Sequence, residues 1–166
     1  MPLSAHESER LEHPVDVVER LAALHEWAFD RADQNEISIS VDGGWAPYNV
    51  AFTWLEELEA LHVASAFDLK VPEYRQSETG ELTGLINEQL WVGHFDVWKQ
   101  ENVVMFRHAL LLNGGLEPSA SQCENLLNVS VQACERYFQA FQFVVWAGKS
   151  AREALDNVMF ETVGEA

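Results

Sequence analysis

Residues 86–112 read INEQLWVGHFDVWKQENVVMFRHALLL, and the way this stretch folds decides the architecture. Apolar side chains alternate through His94–Trp98 and again from Val103 onward, the period of a β-strand. The intervening Lys99-Gln100-Glu101-Asn102 is polar, and asparagine tolerates the left-handed backbone that a tight turn needs. The stretch therefore reads as a β-hairpin with two admissible registers. If Gln100 pairs with Val103, Asp96 faces Arg107; if Lys99 pairs with Asn102, the two are diagonal neighbours. In both, His94, Asp96, Trp98, Met105 and Arg107 share one face, and Phe95, Val97, Val104, Phe106, His108 and Leu110 share the other. A slip of one residue would exchange the faces.

The second strand of this hairpin is apolar on both sides, with Val103, Met105, Ala109 and Leu111 opposite Phe106. Such a strand needs cover on both faces. Helices of the same chain can supply one cover. The other falls to the long C-terminal helix or to another protein, and exposed apolar surface of that kind marks a binding site. A homodimer or a client-binding groove is the expectation. Trp98, Met105 and Arg107 are the expected contact residues, with Trp54 as an outlying addition.

Upstream, Pro14 opens VDVVERLAALHEWAFDRA, where Val17, Val18, Leu21, Leu24, Ala28 and Phe29 form one helical stripe and His25 falls on the surface. EISISVDGG follows as a half-buried strand ending in an Asp42-Gly43-Gly44 turn. YNVAFTWLEELEALHVASAFDL has leucines at helical spacing, yet its aromatic and β-branched residues alternate. It reads as two strands joined near Glu56–Glu59. Pro72 begins a second helix running to Gly93, with Leu82, Leu85, Ile86 and Leu90 inward, weakened by Gly80 and Gly84.

Downstream, Ser121 with Glu124 resembles a capping box for a long helix through Leu127, Val131, Cys134, Phe138, Phe141 and Val145. Gly148 ends it, and Ser150 with Glu153 caps a final short helix. The expected fold is α+β: a five-stranded antiparallel sheet with helices in the order α-β-β-β-α-β-β-α-α. Residues 1–13 read as a flexible acidic tail and 14–166 as a single domain.

The 166 residues carry 10 Lys and Arg against 27 Asp and Glu, a formal net charge of −17. That surface repels phosphate backbones and anionic lipid, which argues against nucleic-acid and membrane-surface partners. The segment MPLSAHESERLEH lacks the basic and apolar regions of a secretory signal. No apolar run approaches the ~20 residues of a membrane span, so a cytoplasmic protein is expected. Cys123 and Cys134 lie roughly 16 Å apart along one helix, too far to bridge, and read as buried reduced thiols.

Asp96 and Arg107 read as a structural cross-strand pair, a contact contributing roughly 0.2–1 kcal/mol. Adding His94 gives the alternative of a small hydrolase-type enzyme, but no nucleophile elbow or pocket signature accompanies the three. The six histidines lack metal-ligand spacing. Gly43-Gly44 is too short for a phosphate loop, and no dinucleotide or kinase signature occurs. A non-enzymatic protein without cofactor or metal is expected.

HPVDVVE at 13–19, EISISV at 36–41, AFDLKVPE at 66–73, INEQLWVGHFDVW at 86–98, VVMFRHALLL at 103–112, ACERYFQAFQFVVWAGKSAREAL and the final ETVGEA together resemble the YbjN-domain family, a group of bacterial sensory transduction regulators. The element order resembles the type III secretion chaperone-like fold. Gln139 stands where that family pattern has proline, so a kink in the long helix is not expected there. The resemblance implies a small cytosolic regulator or adaptor acting by protein contact, without cofactor or assigned catalytic residues. Its alternative is a secretion- or assembly-type chaperone for a specific client.

Overall fold

The computed structural model describes residues 10–165, with side chains through residue 159. Helix α1 (Pro14–Leu24) precedes strands β1 (Ala28–Asp33), β2 (Glu36–Asp42), β3 (Pro47–Leu55) and β4 (Ala60–Lys70). Helix α2 (Gln76–Asn87) leads to the hairpin β5 (His94–Trp98) and β6 (Val103–Leu111), and helices α3 (Ala120–Val145) and α4 (Ala151–Glu165) follow. All strand pairs are antiparallel, in the order β1-β2-β3-β4-β6-β5.

The sheet has six strands, one more than the sequence predicts. The expected first helix stops at Leu24, and its last residues form β1 instead. Glu26 adopts a left-handed φ of 57°. The amide of Trp27 bonds Ala22 O at 2.8 Å and that of Glu26 bonds Ala23 O at 3.2 Å. These two bonds make a helix-ending Schellman motif with glutamate where glycine is usual. Residues 10–13, expected to belong to a loose tail, are tied down: Arg10 pairs with Glu59 at 2.9 Å, and Glu12 N bonds the Glu117 carboxylate at 2.8 Å.

Two helix starts also differ. Pro72 begins a single 3-10 turn over Glu73–Arg75, and α2 starts only at Gln76. It ends at Asn87, whose side-chain amide bonds both Phe95 N and Phe95 O, at 2.8 and 3.0 Å. That amide supplies the pairing that the outer edge of β5 would otherwise lack. The α3 capping box is Ser119 with Gln122, two residues earlier than Ser121 with Glu124. Helix α3 then runs unbroken through Gln139, and Ser150 Oγ accepts from Glu153 N at 3.2 Å at the start of α4.

One face of the sheet holds the core. Beneath α2, α3 and α4, Phe67 meets Phe138 and Phe141 at ring separations of 5.3 Å and Phe95 at 5.9 Å. Under α1, Val15, Val18 and Leu21 pack on Ile37, Phe52 and Leu61. Each fully buried side chain of this size is worth about 1.5–3 kcal/mol. Arg75 joins the layers, donating to Val144 O at 2.8 Å and to Lys149 O at 2.7 Å, while Glu78 accepts from Ala151 N at 2.6 Å. The two side chains thus serve unpaired groups at the end of α3 and the start of α4.

Candidate functional site

The hairpin register decides which side chains leave the core. His94 lies opposite Arg107 and Asp96 opposite Met105, the Lys99–Asn102 register of the two that the sequence allows. Asn102 takes the left-handed φ of 54° at the turn. Asp96 and Arg107 are therefore diagonal neighbours, with Arg107 Nη1 3.8 Å from Asp96 Oδ2. His94, Asp96, Trp98, Met105 and Arg107 fall together on the face away from the helices.

The same face continues across β4, β3 and β2. Ala64 pairs with Arg107 and Ala66 with Met105; Ala51 lies beyond Ala64, and Thr53 beyond His62. None of these residues belongs to either core cluster. Small side chains over the middle strands leave a depression of about 490 Å³, bounded by Trp98, Met105, Arg107 and His62 over a floor of Ala51, Ala64 and Ala66. The long helix α3 lies on the opposite face, so among the described residues no element covers this one. Its apolar part is narrower than β6 alone implies, because serine, threonine, asparagine and alanine line β2 and β3.

Trp54 must be removed from the contact set. It is 6% exposed, it points into the packed face, and the guanidinium of Arg10 sits 4.7 Å from its ring centroid. Its position follows from strand alternation: Trp54 pairs with the core residue Leu61, whereas the open-face residues of β3 are Asn49, Ala51 and Thr53. Trp98 is 44% exposed.

His62 adds a group outside the set expected from the sequence. Arg107 Nε donates to its Nε2 at 3.2 Å, which requires that nitrogen to be unprotonated. Burial and then the Arg107 charge, with His94 and His108 adding to them, hold the His62 imidazole below the usual histidine range. His108, on the packed side, is lowered by burial and by His94. The alternation of His62, Ala64 and Ala66 against Leu61, Val63 and Ser65 could have placed His62 on this face; its partner could not be read without the register.

As chemistry, the array is weak. The guanidinium of Arg107 occupies His62 Nε2, leaving that nitrogen unable to activate a nucleophile. Both cysteines are buried and free, and burial pushes Cys134 up to about 12. No group of three potential metal-ligating side chains occurs among the described residues. No helix among them is long and apolar enough to cross a membrane. What the face offers is a shallow contact surface with one aromatic, one thioether and one guanidinium on its rim.

The antiparallel sheet backed by helices is an α+β fold of the type III secretion chaperone-like kind. The chain belongs to the YbjN family, described as "Putative bacterial sensory transduction regulator", whose model matches residues 14–143. Among solved structures it is similar to YbjN from E. coli, with 8% identity, a TM-score of 0.54, and 73% of this chain and 85% of that one covered. It is also similar to a chain of the HopA1–SchA chaperone–effector complex, at 9% identity and a TM-score of 0.50, covering 74% and 89%. A chain of the ExsC–ExsE complex matches at 14% identity and a TM-score of 0.44, covering 77% and 96%. Comparison with curated proteins gives no match.

Proposed function

We propose that the protein is a non-enzymatic cytoplasmic regulator or adaptor that works by protein–protein contact, with the open face of the sheet as its docking surface. The observation that carries this reading is the one-sided packing: both core clusters lie on the helix side, and among the described residues nothing covers the opposite face. Trp98, Met105 and Arg107 are its contact residues. Aromatic and arginine side chains supply most of the energy at such surfaces.

In this reading the protein is a dimer, joined at the end of the sheet where Leu58, Leu111 and Leu116 are 62%, 67% and 57% exposed. Similarity to SchA supports a second reading, a chaperone holding one client in a stable complex. Affinity capture with the wild type and with Met105→Asp separates these ideas from a structural role. Met105→Asp keeps the circular-dichroism spectrum and loses the captured partner, while Trp146→Ala, away from this face, keeps it. A single stoichiometric partner on size exclusion favours the chaperone, and several substoichiometric ones favour the adaptor. Loss of the dimer in Leu58→Asp but not in Met105→Asp, read by light scattering, checks the dimer surface. Partner capture that Met105→Asp leaves intact would overturn the open-face assignment.

A further inference from the structure

The charges on the open face select its occupant. Among the described residues, strand alternation and register place Asp30, Asp33, Glu36, Asp42, Asp68 and Asp96 on it, against Lys70 and Arg107. Of the six carboxylates only Asp96 takes part in an ion pair among the described residues, at 3.8 Å from Arg107. The remaining five are unneutralised on a protein of net charge −17. A second copy laid face to face would oppose like charges across the contact, which is costly. The cationic complement is favoured. At the β5–β6 edge of the face Trp98 and Met105 are diagonal neighbours that offer an apolar seat, and the exposed Trp98 indole can also take a cation over its ring.

We infer that the open face binds a lysine- or arginine-bearing segment of a different protein, with an apolar side chain seated between Trp98 and Met105 and its cations on the carboxylates of the same face, of which Asp68 and Asp96 are nearest the seat. This rests on the protein-binding reading above and adds the chemistry of the partner.

Fluorescence anisotropy with labelled short peptides of alternating Leu and Lys, Leu and Ser, and Leu and Glu tests it on the full chain. The Leu–Lys peptide binds, its affinity falls with added salt, and the Leu–Glu peptide does not bind. Asp68→Asn/Asp96→Asn weakens binding by about tenfold; the control Glu153→Gln/Asp156→Asn on α4 leaves it unchanged, and Met105→Asp abolishes it. Should the Leu–Ser or Leu–Glu peptide bind as tightly, with Met105→Asp still abolishing it, the cationic partner is wrong and the docking face stands. Equal losses in the two carboxamide variants would reduce the effect to bulk charge and overturn the inference. Binding of every peptide unchanged in Met105→Asp would remove the docking face itself. A dimer that Met105→Asp splits would make a second copy the occupant.

Discussion

Arg107 Nε donates to His62 Nε2 at 3.2 Å, joining side chains 45 positions apart in the chain. The bond exists only while His62 is neutral on that nitrogen. Protonation replaces an acceptor with a second cation beside the guanidinium, in a region that His94 also faces from β5.

Stability is therefore expected to depend on pH with a defined sign. The folded-state pKa values of His62 and His108 lie below the ordinary value of 6.5. As pH falls from ~6.5 through those values, the unfolded chain binds more protons than the folded one. The contribution is intact above this window and is lost on acidification through it. Thermal melts should show Tm falling over that range, with a shallower fall in His62→Gln, whose amide oxygen can still accept from Arg107. An identical slope in the variant would remove His62 from the account, leaving His108 to carry it.

Legibility follows physical range. The hairpin could be read because alternation and Asn102 are local signals, and because both candidate registers put the same side chains on each face. The break between α1 and β1 could not, since Glu26 occupies a left-handed site that sequence reasoning reserves for glycine or asparagine. Ser119 and Ser121 both have a capping partner three residues on, and only the start of the helix after Pro118 decides between them. The floor of the open face is not legible in the sequence, because alanines in alternation give neither apolar periodicity nor chemistry. Trp54 belongs with its alternation partners Val50 and Phe52, which are core, and that alternation places it on the packed face.

Gly93 is the position where a single methyl group is expected to do most damage. Its φ is +73°, and a Cβ built there would overlap the Phe106 ring and come within 2.9 Å of Arg107 O. Phe106 is fully buried and cannot move aside. Gly93→Ala should cost about 2–4 kcal/mol, combining left-handed strain with overpacking. Urea denaturation measures this. Gly84→Ala, where nothing lies within 4 Å, should be neutral or stabilising by up to ~1 kcal/mol.

The thiols are expected to be inert in the native protein. Burial pushes Cys123 up to about 11 and Cys134 up to about 12, the latter despite a contact with Ser65 Oγ at 3.5 Å. At pH ~8 a free thiol reacts through its ionised fraction. Iodoacetamide should leave both cysteines unmodified in the folded protein and label both in urea, read by mass spectrometry. Rapid native labelling of either would show that α3 opens locally.

Arg10 is the residue through which the segment before α1 is held. Its Nη2 donates to Glu59 Oε1 at 2.9 Å and to Leu112 O at 2.7 Å, and its Nε donates to Leu116 O at 2.7 Å. The hydrogen bond from Arg10 is the chief reason that the Glu59 carboxyl lies below its usual range. Arg10→Ala would strip donors from two carbonyls and uncover Trp54. A loss of about 1–3 kcal/mol is expected in urea denaturation. Arg10→Lys should recover little, because one ammonium cannot reproduce the guanidinium fork. Leu11→Ala, at a fully exposed neighbour, should stay within ~0.5 kcal/mol of the wild type. Equal, small effects in all three variants would mean that the segment is held by its backbone, and the Arg10 contacts would then be incidental.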